Sequence, residues 1–215
     1  MKTSNTLMSL ITLGEFKEQL LSRPVDEIVQ ECIFGDDSYV FTAWPDGLSV
    51  LRQHLSSALN VSEDAVTVVG SAKVGFSLNP ANFPRQFSES SDIDIIIIDE
   101  KHFDKVWATI LKWHYPRRYI GLYGEDRGWA GSRKKNTYWG WFEPDQIHFE
   151  GLTFPAVLKP LRDLSTAWFN AFRSLSLSEG FAGRDVRGRL YRTWEHALMY
   201  HVEGLRQVKK IIQEN

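Results

Sequence analysis

The chain has one cysteine, Cys32, in 215 residues. No intrachain disulfide can form, and a zinc site built on several cysteines is excluded. No apolar run approaches the length of a membrane span. The short apolar patch from Leu7 to Leu13 is followed by Glu15 and Lys17 without a convincing cleavage site, so a cytoplasmic protein is expected. Charge of either sign is nearly balanced, with a net charge of -2. That gives no global attraction to nucleic acid or to an anionic membrane, although a local basic patch is still allowed. Gly-x-x-x-x-Gly-Lys-Ser/Thr and His-Glu-x-x-His are missing, as is a Gly-x-Ser-x-Gly nucleophile elbow. His196 and His201 are five apart, so a helix points them in different directions. No internal repeat or low-complexity segment is visible.

What the chain does have is apolar residues in regular patterns and many aromatics, eight of them Trp. Phe16 to Leu21 and Val25 to Ile33 read as short helices split by Pro24. Tyr39 to Thr42 reads as a short strand. Leu48, Leu51, Leu55 and Leu59 recur at helical spacing. Val66 to Val69 is a β-branched strand that ends at Gly70. Ile93 to Ile98 is apolar on both faces beyond Asp94, as a central strand should be. Phe103, Val106, Trp107, Ile110 and Leu111 mark the next helix. Residues 114–136 are rich in Arg, Lys, Gly and aromatics without periodicity, and read as a loop. Tyr138 to Phe142 and Ile147 to Glu150 read as strands. Leu190, Trp194, Leu198, Val202, Leu205, Val208 and Ile212 lie at steps of three or four and predict a long amphipathic C-terminal helix. The order of elements suits an α/β (α+β) protein with a mixed sheet flanked by helices. One domain over 1–215 is expected, with a helical part to about 60, a core at about 61–155 and a helical part at about 156–215.

The chemistry concentrates in two places. Gly70-Ser71-Ala72-Lys73 forms a turn after the first strand, able to offer backbone N–H groups and a hydroxyl to a phosphate. Ser91-Asp92-Ile93-Asp94 opens the isoleucine strand. Residues i and i+2 of a strand share a face, so Asp92 and Asp94 set two carboxylates side by side. Such a pair repels itself unless a cation sits between or one member is protonated. Hard oxygens in this arrangement suit Mg²⁺ or Mn²⁺, bound by one or two carboxylates together with substrate phosphates. Lys73 reads either as a phosphate contact or as a solvent-facing helix lysine. Ser71 reads as a phosphate contact or as a helix cap. Arg184, Arg187, Arg189 and Arg192 do not share a helix face. They read as a solvated surface or as the lining of a groove for a triphosphate or nucleic acid.

Gly70, Ser71, Ser91, Asp92 and Asp94 together resemble the signature of the nucleotidyltransferase superfamily with the DNA polymerase beta-like fold. The likeness covers roughly Val66 to Lys112, about a quarter of the chain with its flanks. Asn79 to Arg85 lengthens the gap between the two halves. The resemblance implies Mg-dependent transfer of a nucleoside monophosphate from a nucleoside triphosphate to a small-molecule, nucleotide, RNA or protein acceptor. Asp92 and Asp94 would hold metal, while Gly70, Ser71, Lys73 and Ser91 would contact the nucleotide. The third carboxylate usual in the superfamily falls on Glu150, with Asp145 and Asp185 as alternatives. If it is missing, the same fold would serve as a nucleotide-binding or partner-binding module, for instance in a toxin–antitoxin or defence system. Near-neutral charge argues mildly against a long nucleic-acid acceptor.

Overall fold

A computed structural model describes residues 10–118, 135–146, 155–181 and 183–214. Its frame is a mixed four-stranded sheet in the order β1-β2-β4-β3, made of β1 (Val66–Val69), β2 (Ile93–Ile98), β3 (Trp141–Phe142) and β4 (Val186–Tyr191). β2 runs antiparallel to β1 and parallel to β4, while β3 pairs antiparallel with the outer side of β4. Helices cover both faces, which is why β2 is apolar on both.

One face belongs to α3 (Gly47–Leu59), α5 (Glu100–His114) and α6 (Lys159–Leu177). Leu51, Leu55 and Leu59 of α3 meet Val66, Val68, Ile93, Ile95, Ile97, Val186 and Leu190 of the sheet in one buried cluster. Gly188 lies on this face, and there a Cβ would come within 2.2 Å of the Phe172 ring of α6. Phe172 stacks on Trp168 at 5.0 Å between centroids, so the ring takes the space that a side chain on β4 would need.

The other face is covered by α1 (Leu13–Ser22), α2 (Val25–Ile28) and α7 (Trp194–Glu214). Phe16, Leu20, Ile28, Ile33, Val202, Leu205 and Val208 pack there with Ile96 and Tyr191. α1 starts at a reciprocal cap. The Glu15 N–H donates to Thr12 Oγ1 (3.2 Å) and the Thr12 N–H to Glu15 Oε2 (2.8 Å), satisfying two otherwise orphaned donors. After α2 the chain widens into a π-helical turn over Val29–Ile33, closed by the Phe34 N–H on the Val29 carbonyl.

Three elements differ from expectation. Tyr39–Phe41 is a 3₁₀ turn rather than a strand, and its rings pack on side chains instead of entering a sheet: Phe41 meets Trp44 and Phe181, and Tyr39 meets Phe87. In Tyr138 to Phe142, only Trp141–Phe142 is strand; Gly140, at φ +74°, turns the backbone just before it. The C-terminal helix begins at Trp194, not Leu190. Leu190 matches the helical spacing but belongs to β4, where it points into the core beside Ile97. Residues 147–150 lie outside the described part. Among the described residues, no helix is long and apolar enough to cross a membrane.

Gly188→Ala should lower unfolding free energy by about 1–3 kcal/mol, the usual cost of overpacking a filled core. Denaturant titration checks this, with a lowered midpoint and unchanged slope expected.

Candidate functional site

Alternation along β2 sends Ile93, Ile95 and Ile97 to the α3/α5/α6 face and leaves Asp94 on the opposite one with Ile96. Asp94 is paired in register with Val69, the last residue of β1, and with Arg187 of β4. The three strand segments therefore bring a turn, a carboxylate and a guanidinium to one spot.

Gly70 is the turn. Its backbone (φ +68°, ψ −148°) lies in a region open essentially to glycine alone. A Cβ there would stand 3.0 Å from Asp94 Oδ2. The residue is small because the backbone comes this close to the carboxylate. Ser71 opens the single helical turn α4 (Ser71–Val74) just behind it. Gly70 itself is the cap, without a side-chain bond, so Ser71 has no capping role.

Asp92 precedes β2 and pairs with Arg187 Nη1 at 2.9 Å, while Arg187 Nη2 reaches Asp185 at 3.0 Å. Asp94 opens to solvent through the cleft but is packed by protein on most sides. Burial, reinforced by the charge of Asp92, raises its pKa above the ordinary carboxylate value, and Arg189 and Arg187 only partly offset this. In β4 the sequence Arg187-Gly188-Arg189 puts both arginines on the carboxylate face. Arg189 is held on three sides: its guanidinium lies 4.4 Å from the Trp141 ring centre, 4.8 Å from that of Tyr200, and 2.6 Å from Glu143 Oε1. Its Nε is nevertheless buried without a hydrogen-bond partner, as is Nε2 of His201.

These groups surround a cleft of about 330 Å³. Gly70, Asp94, Arg187 and Arg189 form one side, Glu143 and Asp145 another, and Tyr200 and His201 of α7 the back. Burial, with a smaller contribution from Arg189, pulls the His201 pKa down to about 4. The ring is neutral near pH 7.

The remaining expected site residues are placed as follows. Lys73 is neither a cleft residue nor solvent-facing. It is buried, its ammonium donates to the Gly35 carbonyl, and burial lowers its pKa to about 8. Ser91 is buried as well, and its Oγ accepts from the Ser88 N–H at 3.0 Å; it shapes the loop entering Asp92. Of the three candidate third carboxylates, Asp145 lines the cleft. Asp185 is tied to Arg187 outside it, and Glu150 lies outside the described residues. Among the described residues, no three Asp, Glu, His or Cys side chains come close enough to hold one metal ion. Glu143, Arg187, Arg189, Tyr200 and His201 were not singled out as one site by sequence. The available signal was Arg-Gly-Arg, a two-residue alternation like that of Asp-Ile-Asp.

Comparison with protein-family profiles, with curated proteins and with solved structures gives no match.

Because His201 is neutral when folded, its site contributes stability fully above the ordinary histidine pKa. That contribution is lost as pH falls from about 6.5 through about 4. The wild type should lose roughly 3 kcal/mol more over this interval than His201→Phe, at about 1.4 kcal/mol per pKa unit. Parallel pH–stability curves for the two proteins would reject the assignment.

Proposed function

We propose that the cleft binds the polyphosphate of a nucleoside triphosphate together with one divalent cation, and catalyses nucleotidyl transfer. The observation that carries this reading is the closure of the Gly70 turn onto Asp94. Bare backbone is thereby set against a carboxylate on the wall of the cleft. The donor set fits a hard cation. Asp92 and Asp94 offer only oxygen, and burial, with the charge of Asp92 added to it, raises the proton affinity of Asp94. Two protein carboxylates are enough for Mg²⁺ when substrate phosphates complete its shell. Mg²⁺ so bound would withdraw charge from the α-phosphate oxygens and favour ionisation of an acceptor hydroxyl.

The chain's own residues position and neutralise. Asp92 and Asp94 would hold the cation at the α-phosphate end. Gly70 offers backbone rather than a side chain to the more distal phosphates. Arg187 can move from Asp92 onto a phosphate oxygen, since its side chain is more than half exposed. Arg189 adds a fixed positive charge that the leaving pyrophosphate shares. In the overall reaction, the acceptor oxygen bonds to the α-phosphorus as the bond to the β-bridging oxygen breaks. The acceptor hydroxyl gives up its proton to solvent water, and pyrophosphate departs.

A second reading is favoured by the Arg187–Asp92 pair and by the lack of three clustered metal ligands among the described residues. It makes the protein a nucleotide-binding module that performs no transfer, in which arginine charge replaces a second metal.

Incubation with each α-labelled nucleoside triphosphate and Mn²⁺, with and without cell extract, separates the two. Transfer predicts a labelled product that Asp94→Ala abolishes at nearly unchanged stability; metal-dependent binding without product selects the module. Arg187→Gln frees Asp92 of its counter-charge. Its Mn²⁺ affinity should rise by about threefold to tenfold, the scale of a half-exposed charge pair, while inorganic tripolyphosphate should bind more weakly. Calorimetry reads both.

A further inference from the structure

Beyond the cleft lies a second and larger space of about 1110 Å³ that shares Gly70, Tyr200 and His201 with it. One wall is α7, with Met199 and Tyr200 exposed along it. The facing wall is the turn at residues 135–141, carrying Tyr138 and Trp139, which are 80% and 55% exposed. The turn sits there because Gly140 has no side chain: a Cβ would fall 2.0 Å from the His196 ring. The Arg192 N–H donates to the Gly140 carbonyl and fastens the turn to the end of β4. Tyr138 and Trp139 meet edge-on, at 5.3 Å, and both stay largely exposed.

Isolated exposed aromatics need no explanation, but a contiguous wall of them does. This wall is not uniformly apolar. Asn79, Asn136, His196 and Gln207 line the same space. Lys135 and Glu203 line it too; such a mixture, with flat apolar faces and a few polar groups, is typical of small-ligand sites. At the junction, His201 lines both spaces, and its Nε2 is buried without a hydrogen-bond partner.

We propose that this groove holds the nucleobase of the nucleotide whose phosphates lie in the cleft, stacked against Trp139, with the sugar beside His201 at the junction. The proposal rests on the reading given under Proposed function. It adds the direction in which the nucleotide lies: from Asp94, past Gly70, toward the turn at residues 135–141. Every base has a face to stack, and stacking on an aromatic side chain changes affinity by about tenfold.

Calorimetry with Mn²⁺ compares inorganic tripolyphosphate with the four ribonucleoside triphosphates, in wild type, Trp139→Ala, Trp139→Phe and Met199→Asp. Trp139 and Met199 are surface residues, so these variants should fold, and circular dichroism checks it. In wild type, at least one nucleotide should bind about tenfold more tightly than tripolyphosphate. Trp139→Ala and Met199→Asp should remove that advantage and leave tripolyphosphate affinity in place, and Trp139→Phe should restore most of it. If tripolyphosphate binds as tightly as every nucleotide, or the advantage survives both variants, the groove does not hold the base and the cleft reading stands alone. If neither tripolyphosphate nor nucleotide binds, the cleft reading falls and takes this one with it.

Discussion

Asp94 sits on a central strand otherwise made of isoleucine, and the arrangement around it follows from that one placement. A carboxylate there cannot be covered by apolar packing without a large cost, so it must keep a path to solvent. The fold answers with a gap. The helices over this face, α1, α2 and α7, pack on Ile96, Tyr191 and Val69 and leave the Asp94 end of the sheet uncovered. Gly70 brings bare backbone to it, and β4 brings two guanidinium groups. Removing the carboxylate would take away the reason for all three.

The same strand explains why the charge balance stays local. Arg187 answers Asp92, and Arg189 answers Glu143, so cations and anions alternate around the cleft without a net field over the molecule. The arginines also have different freedom. Arg187 stands mostly in solvent and holds carboxylates on both sides. Arg189 is clamped between rings. One is suited to exchanging partners and the other to holding a position.

Much of this frame was legible in the sequence where periodicity is strong. The leucines of α3, the valines of β1 and the isoleucines of β2 gave their elements correctly, because burial on one or two faces leaves a repeat of 3.6 or 2. The Asp92/Asp94 alternation and the need for glycine at position 70 were also readable, since each depends on local geometry. Leu190 was misread because one strand residue happened to continue a helical spacing; helix and strand patterns overlap over so few residues. Tyr39–Phe41 looked like a strand by composition, but its aromatics pack on neighbours in a turn. Lys73 was unreadable because its partner is a backbone carbonyl at Gly35, remote in sequence. Joining Arg187 and Arg189 to Asp94 required knowing that β4 lies beside β2. That is a tertiary fact, and no local pattern contains it.

β3 is only two residues long, and two register pairs tie it to β4. Its attachment is reinforced from the side, where Arg189 lies over Trp141 and binds Glu143, the next residue but one. Short edge elements with few ladder bonds are where a fold first loosens. Here the margin that loosens first also carries one wall of the groove and one side of the cleft. At that margin Arg189 joins the edge strand, the groove wall and the cleft, through Trp141, Tyr200 and Glu143.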